Sequence, residues 1–329
     1  MKKTLLALAV LSAITGAAQA QSSVTLSGSV DLGVRRQGGE WNMSNAGSSR
    51  TNFTLSGTED LGGGMRAFFL ANHRFNLNTG AQRDANAFWR QGWVGLGGAF
   101  GNVRLGKMLP PLQLLNGDFD PFGTDTVGST HTGGLFSGQT SSGSRYNNAI
   151  YYTTPSMGGL TGHAMIAAAD ANSESAPANF GTSGAPLPSS LQPGGAERPV
   201  GLGIDYAAGP LRISAAYDRN AMDWKTKGIY GSYNAGFATL MAQWENGDVS
   251  STVDVSRWSI GAKVPFGAAA LKVGYTNWSD EKIKKFGLGL DYNLSKRTQL
   301  YTDVGKISGN GASSTAKKAQ FDLGVNHKF

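Results

Sequence analysis

The sequence predicts an all-β protein, a transmembrane antiparallel β-barrel of about 16 strands. Three observations support this: an amphipathic C-terminal strand, an N-terminal export segment, and a regular succession of short amphipathic segments. In the last eleven residues, Ala319–Phe329, apolar side chains such as Leu323 and Val325 alternate with polar ones. Side chains alternate across a strand, so this segment has one face suited to lipid and one suited to water. It is also long enough to cross a bilayer when tilted.

The N-terminal residues have the pattern of a secretory signal peptide. Two lysines precede the uncharged apolar stretch Thr4–Ile14, and the small-residue motif Ala18–Ala20 follows it. We therefore expect residues 1–20 to be cleaved and residues 21–329 to form the barrel. A transmembrane anchor is the alternative, but the apolar stretch is shorter than the roughly 20 residues that such a helix needs.

The composition fits an exported barrel and excludes a helical membrane protein. The chain has no cysteine, its mean hydropathy is −0.23, and no long apolar run follows residue 20. A barrel has a low mean hydropathy and no long apolar run because every second side chain faces water in the lumen. Glycine is abundant, but fifteen Phe, ten Tyr and seven Trp argue against a disordered glycine-rich chain.

Along the chain, amphipathic segments are joined alternately by short glycine turns and by longer polar loops. In large barrels the short turns lie on the periplasmic side and the loops outside. The longest connections span about 108–144 and 170–197. The sixteen candidate strands are Val24–Val34, Ser49–Thr58, Met65–Phe75, Ala87–Gly97, Asn102–Lys107, Arg145–Thr153, Leu160–Ala169, Pro199–Tyr206, Leu211–Asn220, Lys225–Tyr233, Ala238–Glu245, Asp254–Val264, Ala269–Trp278, Ile283–Asn293, Gln299–Ile307 and Ala319–Phe329.

Strand parity predicts which charged side chains face the lumen, since a charge facing lipid near the midplane costs about 2–4 kcal/mol. Arg50 shares its face with Asn52 and opposes Phe53, and Arg145 opposes Ile150. We expect both arginines to point inward.

The same reasoning turns three further arginines inward. Arg66 and Arg74 share a face with Asn72, and Arg104 opposes Leu105. For these three, a structural role as partners of nearby carboxylates is an equal alternative to a role in the pore.

Arg90 is ambiguous because it shares parity with the apolar Val94. We expect Arg90 to face inward with Trp89 and Trp93 facing lipid, unless a bulge reverses this order.

Several separated motifs resemble those of the Gram-negative general porins, in the same order along the chain. The stretch Gly57–Ala67 reads GTEDLGGGMRA, Arg90–Leu96 reads RQGWVGL, and Phe100–Gly106 reads FGNVRLG. Asp120–Gly123 reads DPFG, and the chain ends in Phe329. Similar matches occur at Arg145–Tyr152 and Leu294–Tyr301, so the resemblance covers the whole mature chain.

The resemblance implies a sixteen-stranded, homotrimeric, water-filled pore in the outer membrane, narrowed by an inward-folded third loop. It implies that Arg50, Arg90 and Arg145 line the narrowest point. It also implies that Phe329 is part of the signal read by the barrel-assembly machinery. The expected partners are outer-membrane lipid, small ions and hydrophilic solutes, with no cofactor and no nucleic acid.

The long loop supplies acidic groups that could oppose the arginines: Asp118, Asp120 and Asp125. Where the family carries a glutamate, this chain has Asn72, and Arg74 follows it. The balance leans positive, and rings of one charge sign set ion preference. We therefore expect a modest preference for anions.

Three alternatives remain at this point. A substrate-specific sugar or organic-acid channel is the nearest, although few aromatic residues fall on the predicted lumen parity. An outer-membrane barrel enzyme lacks support, because no G-x-S-x-G or HExxH motif is present and the histidines lie on separate elements. These are His73, His131, His163 and His327. A basic nucleic-acid binder fits a pI near 9.5 but not the dispersed charge or the export segment.

Overall fold

The computed structural model describes residues 23–45, 50–83, 88–123, 125–130, 145–168, 197–220, 223–250, 253–280 and 282–329. The expected signal peptide, His131 and nearly all of the 170–197 connection lie outside the described residues. The strands form one antiparallel sheet that closes on itself, with partners adjacent in the chain. The fold is therefore a barrel, as the sequence predicts.

The strands are β1 (Ser23–Gln37), β2 (Glu40–Ser44), β3 (Asn52–Gly62), β4 (Met65–Arg74), β5 (Gln91–Gly98), β6 (Gly101–Met108), β7 (Tyr146–Thr153), β8 (Leu160–Ala167), β9 (Val200–Ala208), β10 (Leu211–Arg219), β11 (Lys225–Asn234), β12 (Thr239–Ser250), β13 (Val253–Phe266), β14 (Ala269–Trp278), β15 (Ile283–Asn293), β16 (Thr298–Gly309) and β17 (Gln320–Lys328).

The seventeen strands occupy sixteen places around the barrel, because β2 and β3 lie end to end beside the same strand, β1. Ser23–Ser29 of β1 pairs with β3, whereas Gly33–Gln37 pairs with β2. The turn between β1 and β2 consists of Gly38 and Gly39, both with positive φ, which suits a two-residue hairpin. The sequence prediction missed β2 because five residues inside a polar connection give little periodic signal.

The barrel closes between its first and last strands. Residues Ser29–Arg36 of β1 pair antiparallel with Phe321–Lys328 of β17. Beyond the strand, the amide of Phe329 donates to the carbonyl oxygen of Gly28 at 3.1 Å, and the reverse bond measures 3.0 Å. This closure pairs the two edge strands of the described sheet with each other, and hydrocarbon does not tolerate an unpaired edge.

The two faces of each strand are inverted relative to a soluble protein. On β17, Leu323 is 47% exposed, whereas Asp322, next to it, is 0% exposed. The apolar side chains thus form the outer surface and the polar ones the interior, so the alternation predicted from sequence is confirmed. Within the described ranges, no helix has the length and hydropathy needed to span a membrane.

Candidate channel constriction

The connection after β6 turns into the barrel and runs along its inner wall. It contains the short helix α1 (Pro111–Asn116) and a single 3₁₀ turn, Gly117–Phe119. Leu112 and Leu115 of this segment are buried against the wall residue Tyr230. We call residues 109–130 the inner loop; residues 124 and 131–144 lie outside the described part of the chain.

A row of four glycines forms the part of the wall on which the later part of the inner loop lies, from Pro121 onward. Gly261, Gly274, Gly287 and Gly305 are direct cross-strand partners from β13 to β16. We call them the glycine row. All four fall on the inward face, so together they make a strip of wall without side chains.

The inner loop lies in direct contact with this strip. A methyl group added at Gly261 would lie 2.7 Å from Cγ of Pro121. One added at Gly287 would overlap the carbonyl oxygen of Gly128 and lie 2.9 Å from its Cα. Only glycine permits the loop backbone to approach the sheet so closely. The sequence analysis missed this role, although inward glycines recurring at 261, 274 and 287 were a visible signal.

Asp120 shapes the loop from within. Its Oδ1 accepts hydrogen bonds from the amides of Phe122 at 3.0 Å and Thr130 at 3.3 Å, and its Oδ2 accepts from the hydroxyl of Ser129. The carboxylate is buried. The structure therefore places this predicted constriction acid inside the loop rather than toward the opposite wall.

Asp125 ties the far end of the described loop to the wall that precedes β3. Its Oδ1 lies 2.6 Å from Nε of Arg50. Its carbonyl oxygen accepts a hydrogen bond from Nη2 of Arg35 at 3.0 Å. Arg35 is itself paired with Asp322, which also accepts the amide of Val127 at 3.0 Å. Arg50 and Asp125, both predicted from sequence, thus form an ion pair.

Asp118 ties the near end of the loop to β10. Its Oδ2 lies 2.7 Å from Nη1 of Arg212, and Nε of Arg212 lies 2.9 Å from Oδ1 of Asp205. The guanidinium also lies over the ring of Phe119 at 5.2 Å. The sequence analysis did not assign Arg212 to the site.

A buried ion pair of the wall and hydrogen bonds to it anchor the short helix and the 3₁₀ turn of the loop. Arg257 and Glu245 form an ion pair of 2.6 Å in which both side chains are 1% exposed. Glu245 also accepts a hydrogen bond from Nδ2 of Asn116 at 3.2 Å. Farther along the loop, Gln243 donates to the carbonyl oxygen of Phe119 at 3.0 Å.

The other predicted arginines lie on the part of the wall from β4 to β7. Arg74 ends β4. The amide of Arg90, just before β5, donates to the carbonyl oxygen of Asn72 at 2.8 Å. Arg145 immediately precedes β7 and is 4% exposed.

Arg66 and Arg104 belong to this same part of the wall. Nη2 of Arg66 donates to Oδ1 of Asn102 at 2.6 Å. Nη2 of Arg104 donates to the hydroxyl of Thr153 at 3.3 Å.

Trp93 faces the lumen, contrary to the sequence-based expectation. Strand β5 pairs with β4 in continuous register from Gln91 to Gly97, so no bulge interrupts its alternation. Val94 is exposed to the lipid side, which puts Trp93 inside. There its ring packs against a buried cluster that includes Tyr151.

The comparisons with known proteins agree with this architecture. A sequence profile described as Gram-negative porin matches residues 7–312. The chain is 32% identical over 345 residues to outer membrane porin protein 32 of Delftia acidovorans, covering 97% of this chain and 93% of that protein. It is 26% identical over 367 residues to the major outer membrane protein P.IB of Neisseria gonorrhoeae, covering all of both chains.

The comparison with solved structures also finds a porin. The fold matches the anion-selective porin from Comamonas acidovorans with a TM-score of 0.75 and 26% identity. The match covers 94% of this chain and all of that one. A closed barrel with an apolar exterior, a polar interior and an inward loop defines a channel-forming protein of the outer membrane. Within that class, the chain belongs to the Gram-negative porin family.

Proposed function

We propose that this porin is a water-filled channel for passive diffusion of small hydrophilic solutes and ions, with a modest preference for anions. The observation that carries the preference is the distribution of arginines around the lumen. Among the acids of the inner loop, Asp118 and Asp125 form ion pairs with wall arginines, and Asp120 accepts hydrogen bonds from the loop itself. Arg66 and Arg104 of the opposite wall instead donate hydrogen bonds to uncharged oxygen atoms. The name of the structural relative, an anion-selective porin, supports the same direction.

At the narrowest point we assign the arginine cluster of Arg50, Arg90 and Arg145, with Arg74 and Arg104 beside it and Arg66 on the same wall toward the short-turn rim. A guanidinium remains charged at any working pH and presents several donors, so it stabilises a passing anion. In a wet lumen the attraction stays small enough for the ion to leave again. The loop acids Asp118 and Asp125 limit the preference, because each neutralises part of the basic charge.

We further propose that the mature protein is a homotrimer of residues 21–329, inserted by the barrel-assembly machinery after cleavage of residues 1–20. Phe329 would contribute to recognition by that machinery. The role is that of a channel rather than an enzyme. The polar inward faces and the apolar exterior support this role, since they separate lumen water from lipid around the whole barrel.

The test is reversal-potential measurement in planar bilayers under a KCl gradient. The purified protein should conduct and give a potential of anionic sign, and the paired replacement R90Q/R145Q should move it toward cation preference. The outward-facing K284Q, which removes a charge of the same sign from the lipid side of β15, is the matched control. An unchanged potential in R90Q/R145Q would remove these two residues from the constriction.

A further inference from the structure

A continuous band of alternating guanidinium groups and aromatic rings crosses the inner wall from β4 to β7. Cζ of Arg66 lies 5.4 Å from the ring centroid of Phe68, and that ring meets Trp93 edge-on at 5.6 Å. Cζ of Arg104 lies 5.4 Å from the ring centroid of Trp93 and 4.2 Å from that of Tyr151. We call Arg66, Phe68, Trp93, Arg104 and Tyr151 the arginine–aromatic band.

The band faces the lumen. Strand β4 keeps one register with β3 from Asn52 to Asp60, so Arg66 and Phe68 share the face of Asn72. The side chain of Asn72 bonds to Asn52 and Thr54, inward residues of β3.

At the other end, Tyr151 is buried inside the barrel and its hydroxyl lies 3.1 Å from Nδ1 of His163. The band therefore begins at the short-turn rim, where Arg66 is exposed, and ends at Tyr151, which packs in one cluster with Met108 at the end of β6.

The two guanidinium groups of the band differ from three other inward arginines in what they bind. Arg35, Arg50 and Arg212 are each paired with a carboxylate. In the part of the chain that the structure describes, Arg66 and Arg104 have no carboxylate partner and bond instead to an amide and a hydroxyl oxygen. Their positive charge is thus left for a mobile anion.

Two inward glycines of β5 hold the band flat against the wall. A methyl group at Gly97 would lie 3.1 Å from Cζ of Arg66 and 2.6 Å from Oδ1 of Asn102. One at Gly95 would lie 2.8 Å from Cζ of Phe68. The side chains therefore lie close along the sheet, with Arg66 exposed, Phe68, Trp93 and Arg104 partly exposed and Tyr151 buried.

We propose that the arginine–aromatic band is a binding subsite for solutes that combine a carboxylate with an aromatic ring. A guanidinium fork matches the two oxygens of a carboxylate, and the remaining donors of Arg66 and Arg104 point to that chemistry. The rings of Phe68 and Trp93 supply edge and face contacts for the ring of the solute. The proposal rests on the proposed channel function and names a solute class for it.

The test measures block of single-channel current by sodium benzoate in planar bilayers, with acetate and benzyl alcohol as probes that carry only the charge or only the ring. Benzoate should reach half-maximal block at a concentration about tenfold below acetate, because ring contacts add to the charge contact. Benzyl alcohol should block weakly. Equal block by benzoate and acetate would overturn the subsite.

Substitutions then locate the block. R66Q, R104Q and F68L should each raise the half-blocking benzoate concentration about three- to tenfold. R104K keeps the charge but removes the planar fork, so it should fall between R104Q and the unaltered protein. K284Q, which removes an outward charge, should leave the benzoate block unchanged. Each variant is first checked for the heat-modifiable gel mobility of a folded barrel. Because Arg66 is exposed, R66Q is the variant that should disturb folding least.

The two proposals fail differently. A protein that gives no KCl conductance would refute the channel function itself. If the protein conducts KCl normally but benzoate blocks R66Q and R104Q at the same concentration as the unaltered protein, the subsite alone is refuted.

Discussion

The ion pair between Arg50 and Asp125 makes a prediction whose sign and size follow from its geometry. Nε of Arg50 lies 2.6 Å from Oδ1 of Asp125, and both side chains remain partly exposed to the lumen. A passing ion therefore meets a dipole there rather than a net charge. The substitution D125N leaves the whole positive charge of Arg50, and R50Q leaves the whole negative charge of Asp125.

The expected size comes from Coulomb's law in a wet lumen. Two unit charges about 5 Å apart in water interact by about 0.8 kcal/mol, and the Debye length of about 10 Å in 0.1 M salt reduces this to about 0.5 kcal/mol. That energy changes the local concentration of each ion about twofold, in opposite directions for chloride and potassium. The chloride-to-potassium permeability ratio should therefore rise about fivefold in D125N and fall about fivefold in R50Q.

The assay is the reversal potential of single channels under a KCl gradient, measured for both single variants and for R50Q/D125N. The double variant should return close to the unaltered protein, since it removes the pair without a net change of charge. D254N, on the outward face of β13, removes the same charge as D125N from the lipid side and should have little effect. Shifts of the same sign in R50Q and D125N, or none in either, would refute the assignment of this pair to the conduction path.

Three further predictions concern the inner loop and its anchors. G287A should push the loop off β15 by at least 0.5 Å, given the 2.9 Å approach to the Cα of Gly128, and lower stability by about 1–3 kcal/mol in urea unfolding. G231A, where the nearest atom lies 4.0 Å away, should leave stability unchanged. R257Q removes the cationic partner of the buried carboxylate of Glu245 and should cost about 3–5 kcal/mol in the same assay. D120A removes the carboxylate that accepts the loop's internal hydrogen bonds. The loop should then fluctuate more, and single-channel recordings should show larger current noise. Noise equal to that of the unaltered protein would contradict this role.

The sequence predicted the barrel well because the contrast between lipid and lumen recurs at every second residue. On β17 and β10 the alternation is uninterrupted, and the predicted strands overlap the observed ones closely. Strand β2 escaped prediction because Glu40–Ser44 is short and its hairpin depends on two glycines that also read as a loop.

The orientation of Trp93 was wrong for a different reason. The expectation placed the aromatic ring in lipid and Arg90 in the lumen unless a bulge reversed this order, whereas the unbroken register of β5 keeps Val94 outside and Trp93 inside. The ring is stabilised there by Arg104 and Phe68, contacts across three strands that one strand's sequence does not contain.

Long-range contacts also limited what could be predicted of the loop. The carboxylate of Asp120 binds the amide two residues later, an Asx-turn pattern that the DPFG sequence suggests locally. The partners of Asp118 and Asp125, which are Arg212 and Arg50, lie far away in the chain and have no such local signal. Charge type is readable from sequence, but charge pairing depends on the closed barrel.

The position of the inner loop makes the lumen asymmetric, with consequences for which residues control which property. The described loop contacts run from β8 through the glycine row to Asp322 and Arg35, so this side of the lumen presents loop backbone and neutralised pairs. The wall from β4 to β7 instead carries the arginine–aromatic band, whose two guanidinium groups have no carboxylate partner among the described residues. Substitutions in the glycine row should therefore change the width of the channel with little effect on its ion preference. Substitutions of Arg66 and Arg104 should change preference with little effect on width, because neither side chain supports the loop.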